Sequence, residues 1–291
     1  MMGALASFVV SAVSIRTLAA HFNVFEINVV RTGGGLALLV AALIASPSLR
    51  GLVDITELPR HIPRNLVHSL GGLLWTLAIS CLPLATVFSL EFTSPAWAAL
   101  LAFPIIGERI RRDTLIGIAA SLVGVLIVLR PSPASFHLTA LLPLGAALCI
   151  GLSALLTRRL TRTQSIFAIL FWMMVIQLAL NLVGASILAR VSSGAPSLSP
   201  DISTLTMVAM AALAIAGLCS QLCLSKALQI AEASIVLPLD FLRVPLIAGV
   251  GFVLYQEPID VWVFAGAVVI VAGIVVGLMP AQQKIVTVES R

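Results

Sequence analysis

A chain of 291 residues with 60% hydrophobic and 10% charged residues carries less than half the charge of an ordinary soluble domain, where about a quarter of residues are charged. A mean hydropathy of +1.13 spread along nearly the whole chain excludes a sizeable water-soluble domain and leaves polar sequence for short loops only. The formal charge of +5 and the pI near 9.6 do not indicate a nucleic-acid partner, because most basic residues fall in short clusters between apolar runs, where positive charge sets membrane orientation.

Apolar runs punctuated by charge, Pro and Gly predict ten helices, near 2–20, 25–46, 65–82, 84–107, 113–130, 138–157, 165–189, 203–230, 233–255 and 260–279. About 20 apolar residues suffice for each crossing. The first run lacks the basic flank of a removable signal and is followed by more apolar spans, so it is expected to stay in the membrane. Ser46 to Arg64 and Arg190 to Ser203 read as loops. Helices three and four are separated only by Pro83, which predicts a tight turn at the bilayer surface.

With the N-terminus inside, cytoplasmic segments collect eleven basic residues, Arg50, Arg60, Arg64, Arg109, Arg111, Arg112, Arg158, Arg159, Arg162, Lys284 and Arg291. The outer ends hold three, Arg16, Arg130 and Arg190. Both termini are therefore expected in the cytoplasm, in the inner (plasma) membrane. Cys81, Cys149, Cys219 and Cys223 lie inside apolar segments without a pairing pattern and read as small packing residues.

An internal repeat is the most informative pattern. An offset of 149 residues aligns Glu91-Phe92 with Asp240-Phe241, Glu108 with Glu257, Gly117 with Gly266, Gly124 with Gly273 and Pro131 with Pro280. Each copy, 1–131 and 138–280, contains five predicted helices, and 281–291 is left as a cytoplasmic tail. An odd number of crossings makes the second copy enter from the opposite side, the inverted duplication that transporters use. The fold expected is an all-α integral membrane protein of about ten transmembrane helices in two inverted five-helix repeats.

The segment Ala98-Ala-Leu-Leu-Ala-Phe-Pro-Ile-Ile-Gly-Glu108 runs into Gly117 to Pro131, and Leu237-Pro-Leu-Asp-Phe-Leu-Arg243, Glu257-Pro258 and Gly266 to Gly277 answer it in the second half. On these residues the chain resembles the drug/metabolite transporter superfamily, in particular its EamA-like ten-helix members, over almost its whole length. The resemblance implies a multi-pass carrier, of the kind that exports amino acids, other small metabolites or drugs. A helix that starts beside Met1 with almost no flank departs from the pattern.

Charges inside a bilayer are costly and invite a functional role. Glu91 and Asp240 each lie about 10 Å into a helix from opposite faces, candidates for one central cavity or for proton coupling, with Glu91 the better placed to exchange a proton. Local neutralisation is the alternative, since Arg243 is three residues from Asp240. Arg31, six residues into its predicted helix, can bind a substrate carboxylate, pair with Glu26 or snorkel outward. Trp75 and Trp97 can stack on an aromatic substrate, whereas Trp172, Trp262 and Tyr255 read as interfacial anchors or lipid-facing bulk. Glu108 and Glu257 close their helices on opposite faces as architectural or gating residues. Polar stripes on helix one (Ser7, Ser11, Ser14) and helix six (Gly145, Cys149, Ser153, Thr157) read first as packing surfaces. Gly273 and Gly277 do the same in the last helix, with a homodimer face as the alternative.

A membrane enzyme acting on lipid or small apolar substrates is the rival. It would need a nucleophile with a base, or metal ligands, at depth. Of the four histidines, His21, His61 and His137 fall at turns, loops or helix starts, only His68 enters a span, and neither HExxH nor GxSxG appears. No cofactor or metal is expected. A pore is disfavoured because nothing reads as a filter loop. The partners expected are a small-molecule substrate and the lipid bilayer.

Overall fold

The computed structural model describes residues 2–106, 112–129, 138–161, 163–191, 203–230, 243–256 and 260–278. Among them there is no strand, and eleven α-helices follow in order. These are α1 (Met2–Leu18), α2 (Val24–Ala45), α3 (Leu58–Cys81), α4 (Leu84–Glu91), α5 (Ser94–Ile106), α6 (Arg112–Leu129), α7 (Leu141–Leu160), α8 (Ile166–Val191), α9 (Thr204–Ile230), α10 (Arg243–Tyr255) and α11 (Val261–Leu278).

Local sequence sets the boundaries. Asn23 caps α2: its side chain accepts from the Phe25 and Glu26 amides while the Glu26 carboxylate accepts from the Asn23 amide, a reciprocal box. Before α3, the Asp54 carboxylate accepts from the Thr56 amide, which holds its pKa below the usual carboxylate value. At the other end of α3, Leu82 is extended because the residue before Pro83 is excluded from helical geometry. The Leu82 carbonyl accepts from Arg16 Nη2 at 3.0 Å.

Two boundaries differ from expectation. Helix α3 begins at Leu58, not near 65, so Arg60, His61 and Arg64 are helical residues. Removing Arg64 from the cytoplasmic clusters still leaves ten basic residues against three. The fourth span is broken: α4 ends at Glu91, and Phe92 and Thr93 separate it from α5. Pro95 is the cause, since it has no amide to donate to the Glu91 carbonyl and its ring would collide with that carbonyl in a continuous helix.

By length and composition, Val24–Ala45, Leu138–Leu160, Ile166–Arg190 and Thr204–Cys223 are each apolar enough to cross a membrane, and Gly3–Leu18 and Val261–Gly273 are shorter apolar helices. The outside of the bundle is apolar, with Leu70, Val183, Val208, Val253 and Val268 exposed. Polar groups are inside: Ser14, Asn28, Arg64, Thr76, Glu91 and Gln177 are buried. That distribution suits lipid outside and a polar interior.

The strongest helix pairings are α6 with α11, α1 with α9, α3 with α7 and α2 with α8. Missing side chains allow the closest approach. A Cβ at Gly124 on α6 would come within 2.7 Å of the Gly266 carbonyl and 2.8 Å of the Ile270 amide on α11. Gly117, Gly266 and Gly273 are also buried, so the repeat-matched glycines pack within the chain.

Candidate functional site

Helix α3 carries Arg64, His68, Gly71 and Trp75 at three- and four-residue intervals, which places them on one face. Helix α7 runs along that face in the opposite sense, its stripe matched step by step. Gly145 would bring a Cβ within 3.2 Å of Leu74, and Gly71 would bring one within 2.9 Å of Cys149 Cβ. Ser153 Oγ lies 3.0 Å from His68 Nδ1. Arg64 Nε donates to Thr157 Oγ1 at 2.9 Å, and its Nη1 donates to Asn65 Oδ1 at 2.8 Å. The α7 stripe is thus a packing surface whose hydroxyls also hold the buried arginine and histidine.

One turn beyond Gly71–Gly72, Trp75 turns toward the break in the fourth span. Its Nε1 donates to Glu91 Oε2 at 2.8 Å, and the Phe88 ring meets the indole edge-on at 6.1 Å. Glu91 is only 5% exposed, so the indole N–H solvates a carboxyl group that has lost water. Neighbouring Thr76 accepts from Asn28 Nδ2 at 3.1 Å, tying α2 to α3 at the same level.

Arg31 lies about 10 Å into α2, at 1.5 Å per residue from Val24. Two glycines make room for it. A Cβ at Gly72 would come within 2.9 Å of Arg31 Nη2, and one at Gly217 on α9 within 2.8 Å of Arg31 Cγ. Glu26 is engaged in the α2 cap, so of the alternatives for Arg31 the Glu26 pair is not formed. Arg31 has no hydrogen bond or ion pair among the described residues. Gly72 faces Arg31 and Trp75 holds Glu91, so a cation and an acid reach α3 about one turn apart.

Several sequence expectations are corrected. Trp172 is not lipid-facing: it is buried on α8, its ring 6.5 Å from that of His61. His61 is not in a loop but fully buried in the first turns of α3. Trp75 is no open stacking platform, being buried and committed to Glu91. Trp97 on α5 is half-buried, and its Nε1 has no hydrogen-bond partner among the described residues. Tyr255 packs inward, its hydroxyl donating to the Val13 carbonyl at 3.3 Å and its ring lying 4.8 Å from the Arg16 guanidinium carbon. Arg64 and His68 received no site role from the sequence, although their four-residue spacing from each other and from Gly72 is readable there. Arg243 is the first residue of α10. Asp240, Glu108 and Glu257 lie outside the described residues.

A helical bundle with an apolar exterior and charged groups gathered between its helices is the architecture of a membrane carrier. The sequence profile of the EamA-like transporter family matches residues 1–130 and again 137–279. The chain belongs to the EamA-like transporter family, and it is an all-α, multi-pass membrane protein. It is 28% identical over 216 residues to a riboflavin transporter of Rhizobium johnstonii, covering 73% of this chain and 68% of that one. It is 23% identical over 214 residues to an S-adenosylmethionine uptake transporter of Rickettsia bellii, covering 72% and 69%. A solved crystal structure superposes with a TM-score of 0.60 at 18% identity over 95% of both chains, a likeness of fold. The relatives are named as transporters of small molecules, which makes this chain a membrane transporter.

Proposed function

We propose that the protein moves small amphoteric metabolites, amino acids and related compounds, out across the inner (plasma) membrane by alternating access, without a catalysed reaction. The observation that carries this reading is Arg31, held against Gly72 without a hydrogen-bond or ion-pair partner among the described residues, about one turn of α3 from the Trp75–Glu91 hydrogen bond. A substrate carboxylate would bind the guanidinium, and an ammonium group or a proton would bind Glu91. Asp240 and Arg243 are assigned as the counterparts in the second half, and Glu108 and Glu257 as architectural or gating residues.

The inverted duplication, 1–131 with 138–280, belongs to the same proposal. It is supported by the double family match and by the helix pairings. Exchanging the halves turns α1–α9 into α7–α3 and α2–α9 into α8–α3, while α2–α8 and α6–α11 map onto themselves. The basic-residue asymmetry supports cytoplasmic termini, with 281–291 a cytoplasmic tail. Gly273 is covered within the chain, so a homodimer would form through a surface other than this glycine.

A second reading takes the substrate as a heteroaromatic compound moved inward. It is favoured by the names of the riboflavin and S-adenosylmethionine uptake relatives and by the half-buried Trp97.

The test is counterflow in proteoliposomes with a panel of amino acids, flavins and nucleoside derivatives, run under gradients of either direction. Wild type should carry at least one compound, and Glu91→Gln with Asp240→Asn should abolish that transport while leaving membrane insertion intact. Full transport by the double variant would make both carboxylates structural passengers. For topology, a cysteine in place of Ser193 should be labelled from outside in intact cells, and labelling confined to permeabilised cells would reject the orientation.

A further inference from the structure

Two arginines flank His68 along α3. Arg64 precedes it by one turn on the same helix, and Arg31 comes from α2 against Gly72, one turn after it. The ring meets Ser153 through Nδ1, and no described residue partners Nε2. His68 and Arg31 are half-buried, whereas Arg64 is 4% exposed.

What is absent from this cluster among the described residues is negative charge. Arg64 is oriented by two neutral oxygens, of Thr157 and Asn65, and Arg31 by none. Neutral acceptors fix a guanidinium in place but do not cancel its charge. Glu91 Oε2 accepts from the Trp75 indole. Buried cations on facing helices without a carboxylate are expensive in a membrane interior, and a bound anion relieves that cost.

We propose that Arg31, His68 and Arg64 form a cradle for an acidic group of the substrate, a carboxylate or a phosphate, and that this cradle selects acid-bearing compounds over their neutral counterparts. The inference deepens the carrier reading and rests on it. It adds to Arg31 two specificity-determining residues on α3. The planar Arg31 guanidinium presents paired N–H donors that match two oxygens of such an acid, Arg64 adds its Nη2, the nitrogen not engaged by Thr157 or Asn65, and His68 Nε2 supplies a third direction. Gly72 and Gly217 make room for the Arg31 side chain itself.

Binding and transport are tested separately, so that failure of the carrier reading does not hide the outcome. In lipid-free detergent, thermal unfolding of the full chain is followed with inorganic phosphate or acetate against chloride at matched ionic strength. Phosphate or acetate should stabilise wild type, and Arg31→Gln, Arg64→Gln and His68→Asn should each weaken the apparent affinity by about 10- to 100-fold, the loss expected for one hydrogen bond to a charged group. Arg64→Lys, which keeps the charge, should recover part of it. No anion-specific stabilisation, or the same stabilisation in all variants, would overturn the proposal.

Vesicles with and without anionic lipid separate a lipid headgroup from a soluble acid. If anionic lipid occupies the cradle and competes with phosphate, the substrate assignment is overturned. For a compound that is carried, its amide or dephosphorylated form should show a KM higher by about the same 10- to 100-fold factor. Equal KM values for the pair would also overturn the selectivity, while absence of all transport alongside anion binding would overturn the carrier reading alone.

Discussion

Gly71 and Gly72 are adjacent on α3 but face different neighbours, and substituting each by alanine separates packing from recognition. A Cβ at Gly72 lies 2.9 Å from Arg31 Nη2, about 0.6 Å inside the roughly 3.5 Å optimum for nonbonded heavy atoms. The obstructing atom is the far end of a flexible side chain, so the guanidinium moves and the helices do not. Alanine also raises helix propensity by about 1 kcal/mol over glycine. Gly72→Ala should therefore unfold at or slightly above the wild-type temperature while its transport activity falls, because the donors of Arg31 are displaced. At Gly71 the obstructing atom is Cys149 Cβ at 2.9 Å, with the Ala146 carbonyl at 3.6 Å. Neither can move unless α3 and α7 separate, and overpacking of this kind costs about 1–3 kcal/mol. Gly71→Ala should lower stability by about that amount less the propensity gain. The assay is thermal unfolding of the purified protein beside counterflow in proteoliposomes. Unchanged transport in a well-folded Gly72→Ala protein would refute the placement of Arg31 in the substrate path.

The remaining predictions use the same pair of measurements. Trp75→Phe keeps the ring packing but removes the donor to Glu91, so stability should fall by about 1–3 kcal/mol; in a double-mutant cycle with Glu91→Gln the coupling should exceed about 0.5 kcal/mol, and additivity would deny the interaction. Gly124→Ala sets a Cβ against the backbone of α11 and should destabilise by about 1–3 kcal/mol, with no change in substrate preference. His61→Leu removes two buried ring nitrogens that have no partner among the described residues, at similar volume, and should stabilise by about 1–3 kcal/mol; a loss of stability would show that the imidazole is satisfied.

Length and apolarity made the membrane spans legible, since a run of about 20 apolar residues has few other uses. The break at Glu91 was readable from Pro95, because a proline forbids the hydrogen bond to the carbonyl four residues back whatever surrounds it. The start of α3 was not readable in the same way. Arg60, His61 and Arg64 look like a cytoplasmic flank because hydropathy assigns each charge to water. What brings Arg64 inside is Thr157, 93 residues further along the chain. Trp172 failed for the same reason, since an aromatic ring within a span suits lipid or a helix interface equally and His61 decides between them. The sequence pattern thus reports which residues share a face, while partner helices determine whether that face meets lipid, another helix or a cavity.

Arg31 shows why this distinction bears on function. Had Glu26 paired with it, a substrate carboxylate could bind only by displacing the existing acid, and the affinity gained would be the difference between two similar interactions. The cap at Asn23 prevents this by engaging the Glu26 carboxylate at the start of α2, while Gly72 and Gly217 make room for the Arg31 side chain without offering a side-chain acceptor. An arginine held in place by sterics rather than by a counter-ion keeps its donors available to whatever acid arrives. The alternating access proposed above then requires that Arg31 stay unpaired in both orientations, since a pair formed in one of them would expel a substrate acid there and bias the cycle in that direction.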